Sequence, residues 1–219
     1  MWLLLSPTPL EASFLEGEPF LFLGRRGLRG EGFVYLETGI GKVNAALTLA
    51  LWASQTPVEK ALLFGIAGAY PAGPALGEAV LVAEEVEADL GLKEGLEPLG
   101  FPAWEREGVR YYNRFPLDPG LTEVLARDLG LRVVVGLTRD LVSESLEEAQ
   151  SLGQRWGAGV ESMEGAAFAR ACLVLGVPGA ELRAVSNFAG VRDKRAWRLE
   201  EAFQALEAAL GRLLGARPS

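Results

Sequence analysis

Short apolar runs that stop on turn residues and pass directly into helical periodicity recur along this 219-residue chain. Phe33-Val34-Tyr35-Leu36 leads into Gly39-Ile40-Gly41-Lys42 and then a helical stretch from about 43 to 53. Residues 132–137 form a continuous β-branched run, and Ser145-Leu146-Glu147-Glu148 beyond it fits a capping box that opens a helix. Val160-Glu161-Ser162-Met163-Glu164-Gly165-Ala166-Ala167 reads as a further strand-to-helix turn. Its helix, 163–175, is expected to bury Ala167, Ala171 and Val174 at helical spacing. Pro178-Gly179 ends that run, and residues 181–185 read as a strand closing on Ser186-Asn187-Phe188. Strands that alternate with helices in this way admit few folds. The expected class is α/β, with helices layered on a mainly parallel or mixed sheet. Ligands of open α/β sheets bind in the crevice at strand C-terminal ends.

The rest of the chain fits the same plan. Residues 2–6 read as a first buried strand, and Pro7-Thr8-Pro9 as a stiff extended loop leading to Glu11. Residues 20–23 and 33–36 read as two strands joined through a turn-prone segment at 24–32. Residues 60–64 read as a short strand that ends in a close-approach loop, Gly65-Ile66-Ala67-Gly68-Ala69. Another strand is expected at 78–86, and residues 91–119 form the longest irregular region. Its Phe101, Trp104, Tyr111 and Tyr112 either cover an aromatic ligand or anchor the loop on the body. Asp118-Pro119 supplies an N-cap and a first-turn proline for a helix to about 129, and a last helix is expected at 199–214. With no repeat and no linker in the sequence, one domain is expected over residues 1–219.

Two features of composition narrow the chemistry. The chain has no histidine and a single cysteine, Cys172. That excludes serine–histidine and cysteine–histidine nucleophile systems and zinc sites built from those residues. Proton transfer then falls to Asp, Glu, Lys, Tyr or water, and neither a metal nor another cofactor is expected. The net charge of −8 argues against nucleic acid and anionic membranes as partners. Met1-Trp2-Leu3-Leu4-Leu5 is too short for a membrane span or signal core, so a cytoplasmic location is expected.

Glu161 and Glu164 have two readings. Both acids cap the following helix, or they stand ionised at its positive end as ligand-binding groups. Glu11 likewise is either an exposed acid at the start of a helix or a carboxylate in the crevice at the sheet edge, with Glu16 as the substitute. The Gly39-Ile40-Gly41-Lys42 turn is no P-loop, because Val43 follows the lysine and no glycine stands five residues before Gly41. Asn44 in the third glycine position also breaks the dinucleotide fingerprint, so close packing of strand on helix is expected there.

Taken in order, Thr38-Gly39-Ile40-Gly41-Lys42-Val43-Asn44-Ala45-Ala46, Phe64-Gly65-Ile66-Ala67-Gly68-Ala69, the 160–167 turn and Arg183-Ala184-Val185-Ser186-Asn187 resemble the nucleoside phosphorylase and nucleosidase superfamily. Within it they look most like the futalosine hydrolases of menaquinone biosynthesis. The resemblance implies a three-layer αβα sandwich around a mixed sheet and cleavage of a nucleoside N-glycosidic bond. It implies Glu11 as the water activator, Glu164 as the ligand of the ribose hydroxyls and Met163 against the ribose face. Asn187 is implied at the base, with Ile66, Val142, Glu161 and Arg183 as further substrate-binding positions; Arg192 joins them as a candidate by its place shortly after Asn187.

Four departures qualify this. Ile66 stands where phosphate-using relatives carry a hydroxyl, which favours water as the acceptor. Val142 stands where relatives often carry an aromatic ring, and Ser162 lengthens the usual Val-Glu-Met-Glu. Asn187 replaces the aspartate of adenine-cleaving nucleosidases; an amide cannot act as an acid, which favours hypoxanthine as leaving group. The expected reaction is hydrolysis of futalosine to hypoxanthine and dehypoxanthine futalosine. The alternatives are a methylthioadenosine/adenosylhomocysteine nucleosidase, a purine nucleoside phosphorylase and a catalytically silent nucleoside-binding module. Arg192, Lys194 and Arg195 are either a solvated charged loop or a source of contacts to the substrate's remote carboxylate. The partner expected besides the small-molecule nucleoside is a further copy of the chain, as a homo-oligomer of two or more.

Overall fold

The computed structural model describes residues 1–215. Twelve strands and five α-helices occur along these residues. The first half holds β1 (Trp2–Ser6), β2 (Glu18–Phe22), β3 (Arg25–Gly30), β4 (Phe33–Glu37), α1 (Lys42–Ala53), β5 (Lys60–Ala69) and β6 (Ala79–Glu87). The second holds β7 (Trp104–Arg106), β8 (Val109–Tyr111), β9 (Arg114–Pro116), α2 (Pro119–Leu129), β10 (Arg132–Thr138), α3 (Leu146–Trp156), β11 (Val160–Ser162), α4 (Gly165–Leu175), β12 (Gly179–Phe188) and α5 (Leu199–Leu214).

Ten strands form one mixed sheet in the order β11-β10-β6-β12-β5-β1-β4-β3-β2, with β9 paired to β6. Strands β4, β1, β5 and β12 are mutually parallel, while β6, β10 and β11 run the other way. The two sets meet at the antiparallel pairs β12–β6 and β11–β5. That second pairing makes β5, β12, β6, β10 and β11 close into a ring. Helices cover both faces: α1 and α4 seal one core through Leu49, Trp52, Phe168 and Cys172, and α2 and α5 seal the other through Leu125, Leu129, Leu206 and Leu210. The α/β layering expected from the alternating pattern is present, as the three-layer sandwich around a mixed sheet that the resemblance implied.

Several local signals are realised as read. Asp118 Oδ1 accepts the Leu121 N–H at 2.7 Å, a cap worth about 1 kcal/mol. Ser145 Oγ accepts the Glu148 N–H at 3.1 Å, but the Glu148 carboxylate turns to the Glu144 N–H rather than back to Ser145.

Four expectations need correction. The 24–32 segment is not merely a turn: Arg25–Gly30 is β3, paired with both neighbours, where three arginines and two glycines among six residues hide the strand pattern. Gly65 to Ala69 is not a loop, because β5 runs through it and pairs with β12 and β11. Helix α4 buries Gly165, Ala166, Phe168, Ala169 and Cys172, not Ala167, Ala171 and Val174. That face starts at Gly165, which has no hydropathy to signal it. The long 91–119 region contains the β7–β8 hairpin and β9, and Tyr111 stacks on Phe115 with ring centroids 6.5 Å apart. Arg106 donates to the Leu173 carbonyl at 3.3 Å, so the hairpin lies at the end of α4 remote from Glu164 and anchors on the body.

Candidate active site

Residues from five elements converge where β1, β4 and β11 end and β5 and β12 pass beneath. Glu11 follows β1 and is buried. Its Oε2 accepts from Thr8 N–H at 2.9 Å and Thr8 Oγ1 at 2.8 Å, and its Oε1 accepts from Ile66 N–H at 2.9 Å. The stiff Pro7-Thr8-Pro9 loop thus orients the carboxylate. Three of about four acceptor sites are used, which leaves room for one more donor such as water. Burial pushes the Glu11 carboxyl up, against the pull of those donors and of Arg183. A Cβ on Gly65 would stand 2.6 Å from Glu11 Oε1 and 2.9 Å from Arg183 Nη1, so only glycine lets this carboxylate lie on the strand. Glu16, the substitute position, is exposed.

Glu164 occupies the N-cap of α4 but makes no side-chain cap. Its buried carboxylate instead accepts from Gly41 N–H at 2.9 Å through Oε1 and faces Arg183 Nη2 at 3.5 Å through Oε2. Glu161 does not cap either: it accepts from Tyr70 Oη at 2.8 Å, Ser143 Oγ at 2.6 Å and Ser143 N–H at 3.0 Å. Burial and proximity to Glu161 push the Tyr70 phenol up, so it stays a donor. These contacts occupy Glu161 with fixing the loop around Ser143, on which Val142 is left 37% exposed. The capping reading of both acids therefore fails. Glu161 stands as a loop anchor, not as a group aimed at a ligand.

Arg183 also differs from its expected place. It is 0% exposed, and its guanidinium ends on Glu181 Oε1 at 2.7 Å, Glu164 and the Ile66 carbonyl at 3.4 Å. Rather than reaching a ligand, it stands behind Glu164 and behind the peptide that holds Glu11. Ile66 contributes that peptide from mid-strand, its N–H to Glu11 and its carbonyl to Arg183. Met163 is half-buried between Ser162 and Glu164.

A register shift in β12 between Val185 and Asn187 turns Asn187 at the strand end. Its Oδ1 accepts from Ser186 Oγ at 2.8 Å and its Nδ2 donates to the Phe188 carbonyl at 3.0 Å. The amide orientation is set, with one N–H and one lone pair left over. Arg192 and Lys194 are exposed, and Arg195 is engaged by Asp193 at 2.7 Å.

Two contributors were not read from the sequence. Gly41 supplies an N–H to Glu164 where only packing was expected. Lys42, at the first turn of α1, ties Asp89 (2.6 Å), Glu87 (3.2 Å) and Asp140 (3.5 Å) together. Burial alone would lower the Lys42 ammonium, but Asp89 and Glu87 carry it up. A lysine at the positive end of a helix runs against the dipole, and that was the available signal for waiting acids.

Comparison with known proteins adds an independent line. A family model described as the Phosphorylase superfamily matches residues 18–216. The chain is 75% identical over 214 residues to the futalosine hydrolase of Thermus thermophilus, covering 98% of this chain and 95% of that protein. Among solved structures, the 5'-methylthioadenosine/S-adenosylhomocysteine nucleosidase of Colwellia psychrerythraea 34H in complex with adenine superposes with a TM-score of 0.81 at 21% identity, over 98% and 94% of the two chains. The native futalosine hydrolase of Helicobacter pylori strain 26695 gives 0.80 at 20% identity, over 99% and 97%. At that identity the structural matches establish the shared fold, and the sequence match separates the substrates.

Proposed function

The chain belongs to the phosphorylase superfamily and, within it, to the futalosine hydrolases, and from that premise we propose how its residues cleave the N-glycosidic bond of futalosine. The reaction is hydrolysis, releasing hypoxanthine and dehypoxanthine futalosine in menaquinone biosynthesis. The observation that carries it is the near-full-length identity of 75% to a futalosine hydrolase.

Breaking the bond asks for a sugar held still, a developing ribose cation stabilised, a departing base helped and a water delivered. Glu164 accepts from the ribose 2′- and 3′-hydroxyls and sets negative charge beside the cation, with Gly41 N–H and Arg183 fixing its direction. Met163 packs on the ribose face. Glu11, bound on three donors, takes a proton from the attacking water. Water rather than phosphate is the acceptor, because the Ile66 side chain offers an anion no hydrogen bond and its peptide is already engaged. Val142 borders the purine, and Arg192, exposed beyond Asn187, meets the remote carboxylate of the substrate.

Asn187 selects the base by donating to ring nitrogen 7 or the 6-oxo group of hypoxanthine, whose oxygen carries leaving-group charge. Asn187→Asp is expected to lower kcat/KM for futalosine relative to its 6-amino analogue. The shift should be ~1–3 kcal/mol in discrimination, the worth of one base-edge contact. Steady-state kinetics on both substrates, alike at the carboxyphenyl end, checks it. An unchanged ratio removes Asn187 as the selector.

We also assign the enzyme to the cytoplasm and to a homo-oligomer. Supporting the latter, Ile40 in the turn before α1 and Val43 and Leu47, one turn apart on it, are all strongly exposed apolar side chains. No helix among the described residues is long and apolar enough to cross a membrane.

A further inference from the structure

Beneath Glu164 lies a buried cluster that the proposed chemistry does not use. Glu85 on β6 and Glu181 and Arg183 on β12 are each 0% exposed. Arg183 Nε donates to Glu181 Oε1 at 2.7 Å. Glu85 Oε2 accepts from Thr138 Oγ1 at 2.8 Å, and that oxygen accepts from the Ala166 N–H at 2.8 Å in the first turn of α4. Two oxygens remain, Glu85 Oε1 and Glu181 Oε2, and neither meets a donor. Yet the two carboxyls crowd the same point: a Cβ on Gly165 would collide with Glu85 Oε1 and stand 2.7 Å from Glu181 Oε1, so they face one another beneath the start of α4.

An ionised carboxylate only accepts hydrogen bonds, so two facing carboxylates in a dry interior repel and leave both oxygens unsatisfied. One proton shared by the two carboxyls turns that repulsion into a hydrogen bond from one to the other. It also leaves a single negative charge on the pair, opposite Arg183. The charged and titratable groups around the pair are Arg183 on β12 and Glu164 and Cys172 on α4, while β10 presents the uncharged Thr138. Burial and Glu181 also hold the Cys172 thiol protonated, so it adds no charge. A Cβ on Gly165 would collide with Glu85 Oε1, so the start of α4 closes directly over the pair and keeps water out.

We propose that Glu85 and Glu181 share one proton and act as a positioning pair, neutral Glu85 donating to the Glu181 carboxylate, which fixes Arg183 and, through it, Glu164. The proton stays within the pair and never reaches the substrate. The hydrogen-bonded path then runs unbroken from the α4 backbone at Ala166, through Thr138, Glu85, Glu181 and Arg183, to Glu164 and the Gly41 N–H. The catalytic meaning of the pair rests on the ribose role proposed for Glu164; its protonation does not.

The sign of the pH dependence follows. Burial first, then Glu181, raises the Glu85 carboxyl well above its ordinary value. Such a group takes up a proton on folding, so its support is fully present below the unfolded value and is lost as pH rises through the folded one.

The test compares native enzyme with Glu85→Gln and Glu85→Leu. Glutamine still donates to Glu181 and accepts from Thr138 but cannot ionise; leucine does neither. At neutral pH, the native-minus-Glu85→Gln infrared difference spectrum should contain the carbonyl stretch of an un-ionised carboxylic acid. The melting temperature of Glu85→Gln should fall less than the native one as pH rises from mildly acid to mildly alkaline. Glu85→Leu should lose about 100-fold in kcat/KM for futalosine, mainly through kcat, and Glu85→Gln should recover most of it. Absence of the un-ionised band, identical thermal pH slopes, or a glutamine variant as impaired as the leucine one would each overturn the proposal. If Glu85→Leu does not fold, the spectrum and slope of Glu85→Gln still decide. If the native enzyme releases no hypoxanthine from futalosine, the functional reading fails, while the spectrum and slope still judge the shared proton.

Discussion

Glu11→Gln is expected to lower kcat for futalosine by ~10²–10⁴-fold while KM stays within the same order of magnitude, the usual worth of a positioned general base. Glutamine keeps the size of the side chain and an acceptor for the Ile66 N–H, so the β5 contact that seats it survives. What it loses is the capacity to take a proton from water. It also turns an N–H toward one of the Thr8 donors, which removes one contact but leaves the fold intact. The pH profile gives a second readout. Because burial raises the Glu11 carboxyl, native kcat should climb with pH through a value above the ordinary glutamate range and then level off. The residual rate of Glu11→Gln should lack that limb. Steady-state kinetics across pH checks both, and an unchanged kcat would move the attacking water elsewhere or make the chain a silent nucleoside binder.

Glu164→Gln comes second in size, with an expected fall in kcat of ~10²–10³-fold. The amide retains one acceptor oxygen for the Gly41 N–H or a ribose hydroxyl, but not both charge and a second pair of acceptor sites. Ribose cation character develops only on the way to the transition state, so the loss belongs mainly in kcat. Stability should also drop, by about 1–3 kcal/mol, since buried Arg183 loses one of its two carboxylate partners and keeps only Glu181. Thermal melting separates this from the kinetic effect. A variant with native kcat and only a raised KM would assign Glu164 to ground-state binding alone.

How far the sequence anticipated these results depends on the length scale of each contact. Alternating apolar runs and helical periodicity, together with caps such as Asp118, marked most elements because those signals are local. Strand β3 escaped, since its order comes from pairing with β2 and β4 rather than from its own Arg-Arg-Gly-Leu-Arg-Gly. The same holds for the far end of β5, where Gly65 and Gly68 look like loop residues but are strand residues crossed by side chains from elsewhere. At the site, Glu11, Glu164 and Asn187 fall at strand ends, where α/β sheets expose ligand-binding groups, but position alone left both acids open to a bland reading and the family resemblance singled them out. Arg183 and Glu161 were visible as well, but not their burial, which depends on Glu181, Tyr70 and Ser143. Glu85 lies 96 residues before Glu181 and reads as an ordinary strand acid; only the antiparallel β6–β12 pairing brings them together.

We propose that water bound on Glu11, and not phosphate, displaces hypoxanthine from futalosine. Turnover of futalosine in ¹⁸O-enriched water with excess inorganic phosphate, followed by mass spectrometry of both products, tests it most directly. The expected products are unlabelled hypoxanthine and dehypoxanthine futalosine carrying one ¹⁸O at the anomeric carbon, at a rate that phosphate does not change. A sugar 1-phosphate product, or intact futalosine under conditions where methylthioadenosine is cleaved, would contradict it.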